Sequence, residues 1–293
     1  MEPDYVKLRE IKPVLAGYIS EALELLERAP VPDDKAVHDV RVLMKKSRAV
    51  MRLIVSQVSE DMYNRDYTAF RETGRLLCSL RETSVHRKTL RELKNNHARL
   101  FASLQDNEKL EALLKNPVIP ESPSPEIRKN LLAINEMLKK AGYRLKFRTM
   151  GSPDTGLLLR ELEKSYFIVR DKYLSARNNP KAASLHAFRK KAKDFLYQLW
   201  FFRPLNANTI KSLERKLDAM TQSLGKYNDL SQLISVLEYE YSSRRDVPAM
   251  DELIIVIREA QDSYLSSVWP AAHKIFCPGK KLMNVLGLKN ITF

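Results

Sequence analysis

The sequence predicts an all-α protein made of two related helical halves. Apolar residues recur at three- and four-residue intervals, glycine is scarce (8 of 293 residues), and two basic segments that begin with histidine lie 148 positions apart. The interval pattern is typical of amphipathic helices, and the scarcity of glycine agrees with it. A motif that recurs at a fixed offset indicates an internal duplication.

The helical segments are separated by sharp breaks. Pro30 and Pro32 end the first segment, and Asp33 supplies a cap for the second. Four prolines between 116 and 125 interrupt the chain again, and residues 151–153 precede a second series. The predicted segments are 5–28, 35–56, 59–80, 85–115 and 126–141, then 154–177, 182–202, 207–224, 229–244 and 249–275.

We interpret the chain as one domain over residues 1–293. A second motif supports the duplication, because Leu77 to Glu82 aligns with Leu224 to Asp229 at an offset of 147. The best candidate for a strand, residues 143–148, is short. The predicted parts are a first repeat at about 5–115, a linker at about 116–153, a second repeat at about 154–277 and a C-terminal tail at 278–293.

The composition favours anionic partners. Fifty Lys and Arg against 36 Asp and Glu give a net charge of +14 and a pI near 9.6, which suits phosphate polymers, nucleic acid or an acidic membrane face. The two cysteines lack metal-site spacing and point to a reducing compartment. The start of the chain does not resemble a signal peptide, and the apolar patch at 195–202 is too short to span a bilayer. We therefore expect a cytoplasmic protein with no membrane partner.

The first histidine segment carries a continuous cationic stripe. Like charges at helical neighbour spacing destabilise an isolated helix, and this stripe has no interspersed acids of the kind found on a solvated face. Arginine and lysine arranged in this way suit the phosphoryl oxygens of an extended polyanion. On a helix the stripe covers an arc of about 80° and consists of His38, Arg41, Lys45, Arg48 and Arg52.

The second histidine segment has a shorter stripe. Leu196 and Trp200 stand where the first stripe has its last two arginines. We therefore expect the end of this helix to enter the core, with Arg203 replacing part of the lost charge, so that the two walls of a shared groove are unequal. The stripe covers about 100° and consists of His186, Arg189, Lys190, Lys193 and Tyr197.

Two kinds of side chain are expected to support the stripes. Each histidine lies near the start of its helix, where unpaired amides also favour anions, and a bound anion should raise the histidine pKa. The pairs Arg81-Glu82 and Asn228-Asp229 are expected near helix junctions, where they cap amides and orient a cation of the stripe. We favour this role over catalysis, because a carboxylate inside the groove would repel a polyanion.

These motifs resemble the CHAD family, the conserved histidine α-helical domain. The family pattern is His-x-x-Arg with further Lys or Arg on the same helix, then a Leu-Gly-x-x-Arg/Asn-Asp element, in two halves. The first motif matches His38, Arg41, Lys45, Lys46, Arg48 and Arg52, and the second matches His186, Arg189, Lys193 and Tyr197. The later element matches Leu224, Gly225, Asn228 and Asp229, whereas Cys78 and Glu82 replace its glycine and aspartate in the first half.

The resemblance implies two four-helix-like halves around a basic central groove or pore that binds inorganic polyphosphate without catalysis. It also implies no cofactor and no metal, and it allows association with polyphosphate granules in the cytoplasm. The strand repeats of the CYTH domain, which accompanies some CHAD domains, are not found in the sequence. The chain therefore resembles a stand-alone form.

Two other function classes stay open from the residues. A nucleic-acid-binding protein would also have a high pI and basic helices, but no known reader motif is present, and a stripe enclosed between helices is too narrow for a duplex. An enzyme acting on phosphoanhydrides would need a glycine-rich phosphate loop or paired acids, and neither lies beside the histidines. The oligomeric state is not predicted.

Overall fold

The described part of the protein is helical throughout. The structure is a computed structural model that describes residues 11–78, 82–104, 108–115, 124–148, 153–241 and 248–288. Every regular element in these ranges is a helix, as predicted. The α-helices are α1 (Ile11–Glu27), α2 (Asp34–Leu53), α3 (Glu60–Leu76), α4 (Glu82–Asn96), α5 (Ala98–Ala102), α6 (Glu108–Leu114), α7 (Pro125–Phe147), α8 (Thr155–Asn178), α9 (Ala182–Leu199), α10 (Ala207–Tyr241), α11 (Pro248–Phe276) and α12 (Leu282–Leu286), with 3-10 helices at Val55–Gln57 and Trp200–Leu205.

Helices α1, α2, α3 and α7 contact one another in a closed ring. The fourth member, α7, lies inside the interval 116–153 that we assigned to a linker. Its inner face is buried through Ile134 and Leu138, and Arg144 donates to the buried carboxylate of Asp66 on α3 at 2.9 Å. The prolines before α7 therefore precede a structural helix of this ring.

Helices α8, α9, α10 and α11 form a second ring of contacts. Its core is rich in aromatic rings, and the hydroxyl of Tyr166 donates to the carbonyls of Ile275 and Lys280 at 2.9 and 3.1 Å. The segment after α11 also packs here, since Leu282 and Leu286 of α12 are buried in the main core. The described part of the C-terminal tail is thus packed against the ring.

One local prediction from the sequence is wrong. The predicted break between 224 and 229 is absent, because α10 runs unbroken through Gly225. A Cβ at Gly225 would lie only 3.0 Å from Nη2 of Arg189, so this glycine makes room for a side chain and does not end the helix. The candidate strand at 143–148 is the last turn of α7, where the buried side chain of Leu145 continues the helical pattern.

Helices α4 to α6 pack against the second ring through a separate core. The sequence predicts one helix at 85–115, and the structure has three shorter helices there. Their apolar side chains meet those of α10 and α11, including Leu233 and Leu253. This segment of the first predicted repeat therefore lies on helices of the second.

The two rings meet where α2 contacts α9. The buried side-chain amide of Gln198 donates to the carbonyl of Ala49 at 3.0 Å, and Arg52 Nη1 lies 3.1 Å from a carboxylate oxygen of Asp194. The two histidine helices are therefore held directly against each other. Among the described residues, none of the helices combines the length and apolar character needed to cross a bilayer.

Candidate anion-binding site

The first histidine segment lies on α2, whose apolar face packs into the core. Val37, Val40 and Met44 are buried, so the cationic stripe occupies the face that meets α3 and α9. The amide of Ala36 donates to the Asp33 carboxylate at 2.6 Å, which caps the helix as predicted. His38 is exposed, and the other predicted cations of this helix are half-buried, namely Arg41, Lys45, Lys46, Arg48 and Arg52.

The guanidinium groups of Arg41 and Arg48 are partly removed from solvent, and not all of their N–H donors have a hydrogen-bond partner in the described residues. Arg41 donates through Nη1 to the carbonyl of Gly74 on α3. In both arginines the Nε–H group is buried and has no hydrogen-bond partner among the described residues. Burial lowers the pKa of Arg48, as do the charges of Arg52 and Arg41, while Tyr67 and Asp194 act in the opposite direction. Both side chains are also partly exposed, so an anion can approach their guanidinium groups from the solvent side.

Arg52 faces an acidic side chain. Its Nη2 donates to the hydroxyl of Tyr67 at 2.7 Å, and its Nη1 faces Asp194. Burial raises the pKa of Asp194, and Arg52, Lys191 and Arg48 lower it. Asp194 was not among the predicted residues. The available signal was an acid directly after the basic run from Lys190 to Lys193. A helical projection of α9 alone does not show that it faces α2.

The second histidine segment contacts α10 through two side chains. Arg189 Nε donates to the carbonyl of Thr221 at 3.3 Å, and His186 Nδ1 lies 2.8 Å from Oδ1 of Asn228. Burial lowers the pKa of His186, as do the charges of Lys190, Arg189 and Lys45, while the Asn228 hydrogen bond raises it. Lys45 belongs to α2, whereas Lys190 and Arg189 belong to α9. Cations of both histidine segments therefore act on the same imidazole.

Two other predicted cations are paired with acids, and Lys190 is not one of them. The ammonium group of Lys193 pairs with Asp218 at 2.8 Å, and Arg203 pairs with Glu214 at 2.6 Å, so neither supplies an uncompensated charge. Lys190 is exposed. Leu196 and Trp200 are half-buried against the core, which agrees in part with the predicted burial.

A cavity of about 810 Å³ lies between α1, α2, α9 and α10. We call it the aromatic cavity, and its walls include two residues predicted for the stripes, Lys46 and Tyr197. Leu196 and Trp200 also line it. Its lining residues lie on α1, α2, α9, α10 and the 3-10 helix after α9, whereas Arg41 and Arg52 contact α3. Burial raises the pKa of Tyr197 to about 12, while the charge of Arg189 lowers it, so this cavity lies close to the second histidine segment.

The supporting residues differ from their predicted arrangement. Asn228 and Asp229 lie within α10, so they cap no helix end, although Asn228 does orient His186. Asp229 lines a smaller cavity of about 230 Å³ between α4 and α10. Arg81 and the side chain of Glu82 fall outside the described residues.

The two helix starts are unequal as anion sites. The Asp33 carboxylate already occupies an amide at the start of α2, whereas no side chain of the described residues caps the start of α9. Within the described ranges, no group of three His, Cys, Asp or Glu residues is arranged to hold a metal ion.

The family follows from comparison with known proteins. The CHAD domain model matches residues 17–238, and no CYTH domain is seen in the sequence. Among solved structures, the chain is similar to the CHAD domain from the plant Ricinus communis, with 16% identity, a TM-score of 0.49, and coverage of 94% of this chain and 91% of that one. No curated protein gave a match. On the family match, the chain belongs to the CHAD domain family, which is linked in general to polyphosphate binding.

Proposed function

We propose that this protein binds inorganic polyphosphate, without transforming it, in a groove between its two histidine helices. The supporting observation is the set of half-buried cations on α2 and α9, including Arg41, Arg48 and Arg189, whose side chains are partly exposed and so within reach of a ligand. Partial desolvation strengthens the attraction of such cations for phosphoryl oxygens. We define the arginine groove by Arg41, Lys45, Arg48, Arg52, His186, Arg189 and Lys190.

The length of the stripe favours a polymer over a single phosphate. Arg41 and Arg52 are separated by eleven residues of α2, which corresponds to about 16 Å along a helix. An extended polyanion can contact several groove cations at once, and orthophosphate cannot span them. Asp194 compensates Arg52, so the net positive charge of the stripe is greatest toward Arg41 and Arg48.

Matching hydrogen bonds support an internal duplication of the site. Arg41 donates to the carbonyl of Gly74, and Arg189 donates to the carbonyl of Thr221. The donors are 148 positions apart and the acceptors 147, which are the same offsets that relate the two sequence motifs. We infer that the rings containing α2 and α9 are pseudo-symmetric halves of one domain, and that each contributes a wall of the groove.

The test replaces the two unsatisfied arginines while keeping their packing. In the double variant Arg41→Met and Arg48→Met, the unbranched methionines retain apolar stems without the charge. We expect the affinity for long-chain polyphosphate, measured by calorimetry at physiological salt, to fall about tenfold or more. The control variant Lys139→Ala and Lys140→Ala removes two exposed charges of α7 and should change affinity by about twofold at most. Equal losses in the two variants would refute the groove.

The alternatives to non-catalytic polyphosphate binding give distinct results. Displacement of polyphosphate by RNA or duplex DNA at equal phosphate concentration would favour a nucleic-acid-binding protein. Release of orthophosphate from polyphosphate with added magnesium, lost in His186→Gln, would show an enzyme. We expect neither result, since the described residues place no acid cluster near His186 that could hold a metal.

A further inference from the structure

Large apolar side chains are concentrated on the solvent side of α7. Seven such side chains are exposed in the described residues, and three of them belong to this helix, namely Leu132, Tyr143 and Phe147, with exposed fractions of 65%, 67% and 65%. On a helix the three positions fall within an arc of about 60°. Ile134 and Leu138 lie on the opposite side and are buried in the core. The helix therefore has a second apolar stripe that is left in solvent, and we call this side the outer face of α7.

The two aromatic side chains of the outer face lie together at the C-terminal end of the helix. The ring centroids of Tyr143 and Phe147 are 4.6 Å apart, as positions one turn apart allow. The ammonium group of Lys146 lies 5.6 Å from the centroid of the Phe147 ring. These contacts cover little of either ring, since both side chains remain about two-thirds exposed. An exposed apolar stripe with polar residues at its edges marks an interaction surface.

Basic side chains flank the stripe on both sides. Lys139 pairs with Glu27 of α1 at 3.4 Å, and Lys140 pairs with Glu136 of the outer face at 2.5 Å. The other flanking cations are exposed and form no ion pair within the described residues, and they are Arg128, Lys129 and Lys146. The partner of this face must therefore offer apolar contact and negative charge together.

A second copy of this chain does not meet these requirements. Two outer faces placed together would bring like charges into contact. The three apolar side chains supply at most roughly 500 Å² per copy, which is less than the about 800 Å² per partner of a standard interface. The remainder would have to come from the flanking cations.

An anionic membrane surface meets both requirements. Aromatic rings are favourable at the boundary between headgroups and acyl chains, and anionic headgroups attract lysine and arginine. The long stems of these cations can lie along the apolar boundary while their charged ends stay among the headgroups. The outer face is also the outward side of a single helix, so it is convex, whereas peptides bind in grooves or at strand edges.

We propose that the outer face of α7 binds the surface of a membrane that contains anionic lipids. Tyr143 and Phe147 enter the headgroup region, and Arg128, Lys129 and Lys146 pair with lipid phosphates. The sequence-based expectation of no membrane partner concerned secretion and spanning segments, and a peripheral helix face needs neither. The arginine groove lies between α2 and α9, so this proposal does not rest on the proposed polyphosphate function.

The experiment measures co-sedimentation of the full chain with lipid vesicles. We expect binding to phosphatidylcholine vesicles with about one-third phosphatidylserine at physiological salt, and binding about tenfold weaker or less to phosphatidylcholine alone. Tyr143→Ala with Phe147→Ala should weaken binding to the anionic vesicles about tenfold or more. The matched control Ile168→Ala with Ile255→Ala removes two exposed apolar side chains of α8 and α11 and should change binding about twofold at most.

A charge variant separates the outer face from the net charge of the chain. Lys129→Gln with Lys146→Gln should weaken binding to the anionic vesicles about tenfold. Lys211→Gln with Arg215→Gln makes the same change of charge at two exposed positions of α10 and should change binding about twofold at most. Equal losses in the two variants would show attraction by net charge alone and would overturn the proposal.

The groove variant makes failure of this proposal distinguishable from failure of the proposed function. Arg41→Met with Arg48→Met should keep its vesicle binding even as it loses polyphosphate. Vesicle binding that is lost in this variant would place the lipid contact in the groove and overturn the proposal. The absence of co-sedimentation of the wild-type protein with anionic vesicles would also overturn it, and would favour an acidic protein segment as the partner of the outer face.

Discussion

At the residue scale, Gly225 controls the position of Arg189. Alanine in a helix interior is usually about 1 kcal/mol more favourable than glycine, but a Cβ here would meet Arg189 Nη2 at 3.0 Å and Nε at 3.2 Å. We expect Gly225→Ala to displace the Arg189 guanidinium. The free energy of unfolding should then rise by less than about 0.5 kcal/mol, and polyphosphate binding should weaken several-fold. Denaturant titration and calorimetry measure both effects.

A matched control for this prediction lies in α1. Gly17 has no atom within 4 Å of a built Cβ, so Gly17→Ala should stabilise the protein by about 0.5–1 kcal/mol and leave binding unchanged. If Gly225→Ala gives the same gain and the same affinity as Gly17→Ala, the close packing of Arg189 has no role in binding.

The side-chain amide of Asn228 affects the pKa of His186. The Asn228 hydrogen bond raises the histidine pKa against the lowering effects of burial and nearby cations. Asn228→Ala should therefore lower the pKa of His186 further. An NMR titration of the imidazole, assigned with His186→Gln, measures this change, and a pKa that stays constant or rises in the variant would contradict the assigned interaction.

At the element scale, α4 to α6 depend on a core of their own. Leu233 of α10 is fully buried in that core, and replacing a buried leucine by alanine costs about 2–5 kcal/mol. We expect Leu233→Ala to reduce amide protection in α4 to α6 and in the C-terminal half of α10, while the ring containing α2 keeps its protection. Hydrogen exchange tests this.

The control is Leu132→Ala, an exposed position on α7. Its effect on the free energy of unfolding should stay below about 0.5 kcal/mol. Uniform loss of protection across the whole chain in Leu233→Ala would show that the second core is not a separate unit.

Periodicity predicted most elements because each helix buries one apolar stripe. The positions of α2 and α3, and of α8, α9 and α11, follow from that pattern within a few residues. The predicted segment 5–28 ends with α1 at Glu27, and its first six residues lie outside the described part of the chain. It could not predict that α7 completes the first ring or that α4 to α6 pack on α10, since both depend on contacts between distant segments. The break expected at Gly225 illustrates the same limit, because the side chain of Arg189 that explains the glycine lies on another helix.

The stripe of α2 was predictable as a set, but the partners of its members were not. Helical spacing placed His38, Arg41 and Arg48 on one face, and the structure keeps them there. The family resemblance added Lys46 to this set, and its ammonium group lies over the ring of Tyr18, 5.5 Å from the centroid. This contact depends on the packing of α1 against α2, which the pattern of α2 alone does not specify.

At the scale of the whole molecule, pH acts on folding and on binding in opposite directions through His186. Its pKa lies below 6.5 in the folded chain, so the unfolded chain binds more protons, and the free energy of unfolding falls as pH drops below about 6.5. A bound polyanion favours the charged imidazole and raises its pKa. Polyphosphate affinity should therefore rise as pH falls from about 7.5 to 5.5, by up to about tenfold if the bound polyanion raises the His186 pKa by about 1.

Calorimetric titrations at the two pH values measure this dependence. His186→Gln should reduce the increase in affinity. An identical pH dependence in the wild-type protein and in His186→Gln would place the titrating group elsewhere.

The hydrogen bond from Gln198 to the carbonyl of Ala49 has a kinetic consequence. It holds α2 against α9 within a buried interface, so the proposed groove would need no closing of these two helices before a ligand binds. Association then requires no closing step, and its rate is set by diffusion in the field of a chain with a net charge of +14. Polyphosphate capture should therefore be fast and should slow steeply as ionic strength rises, while the dissociation rate reports the contacts made inside the groove.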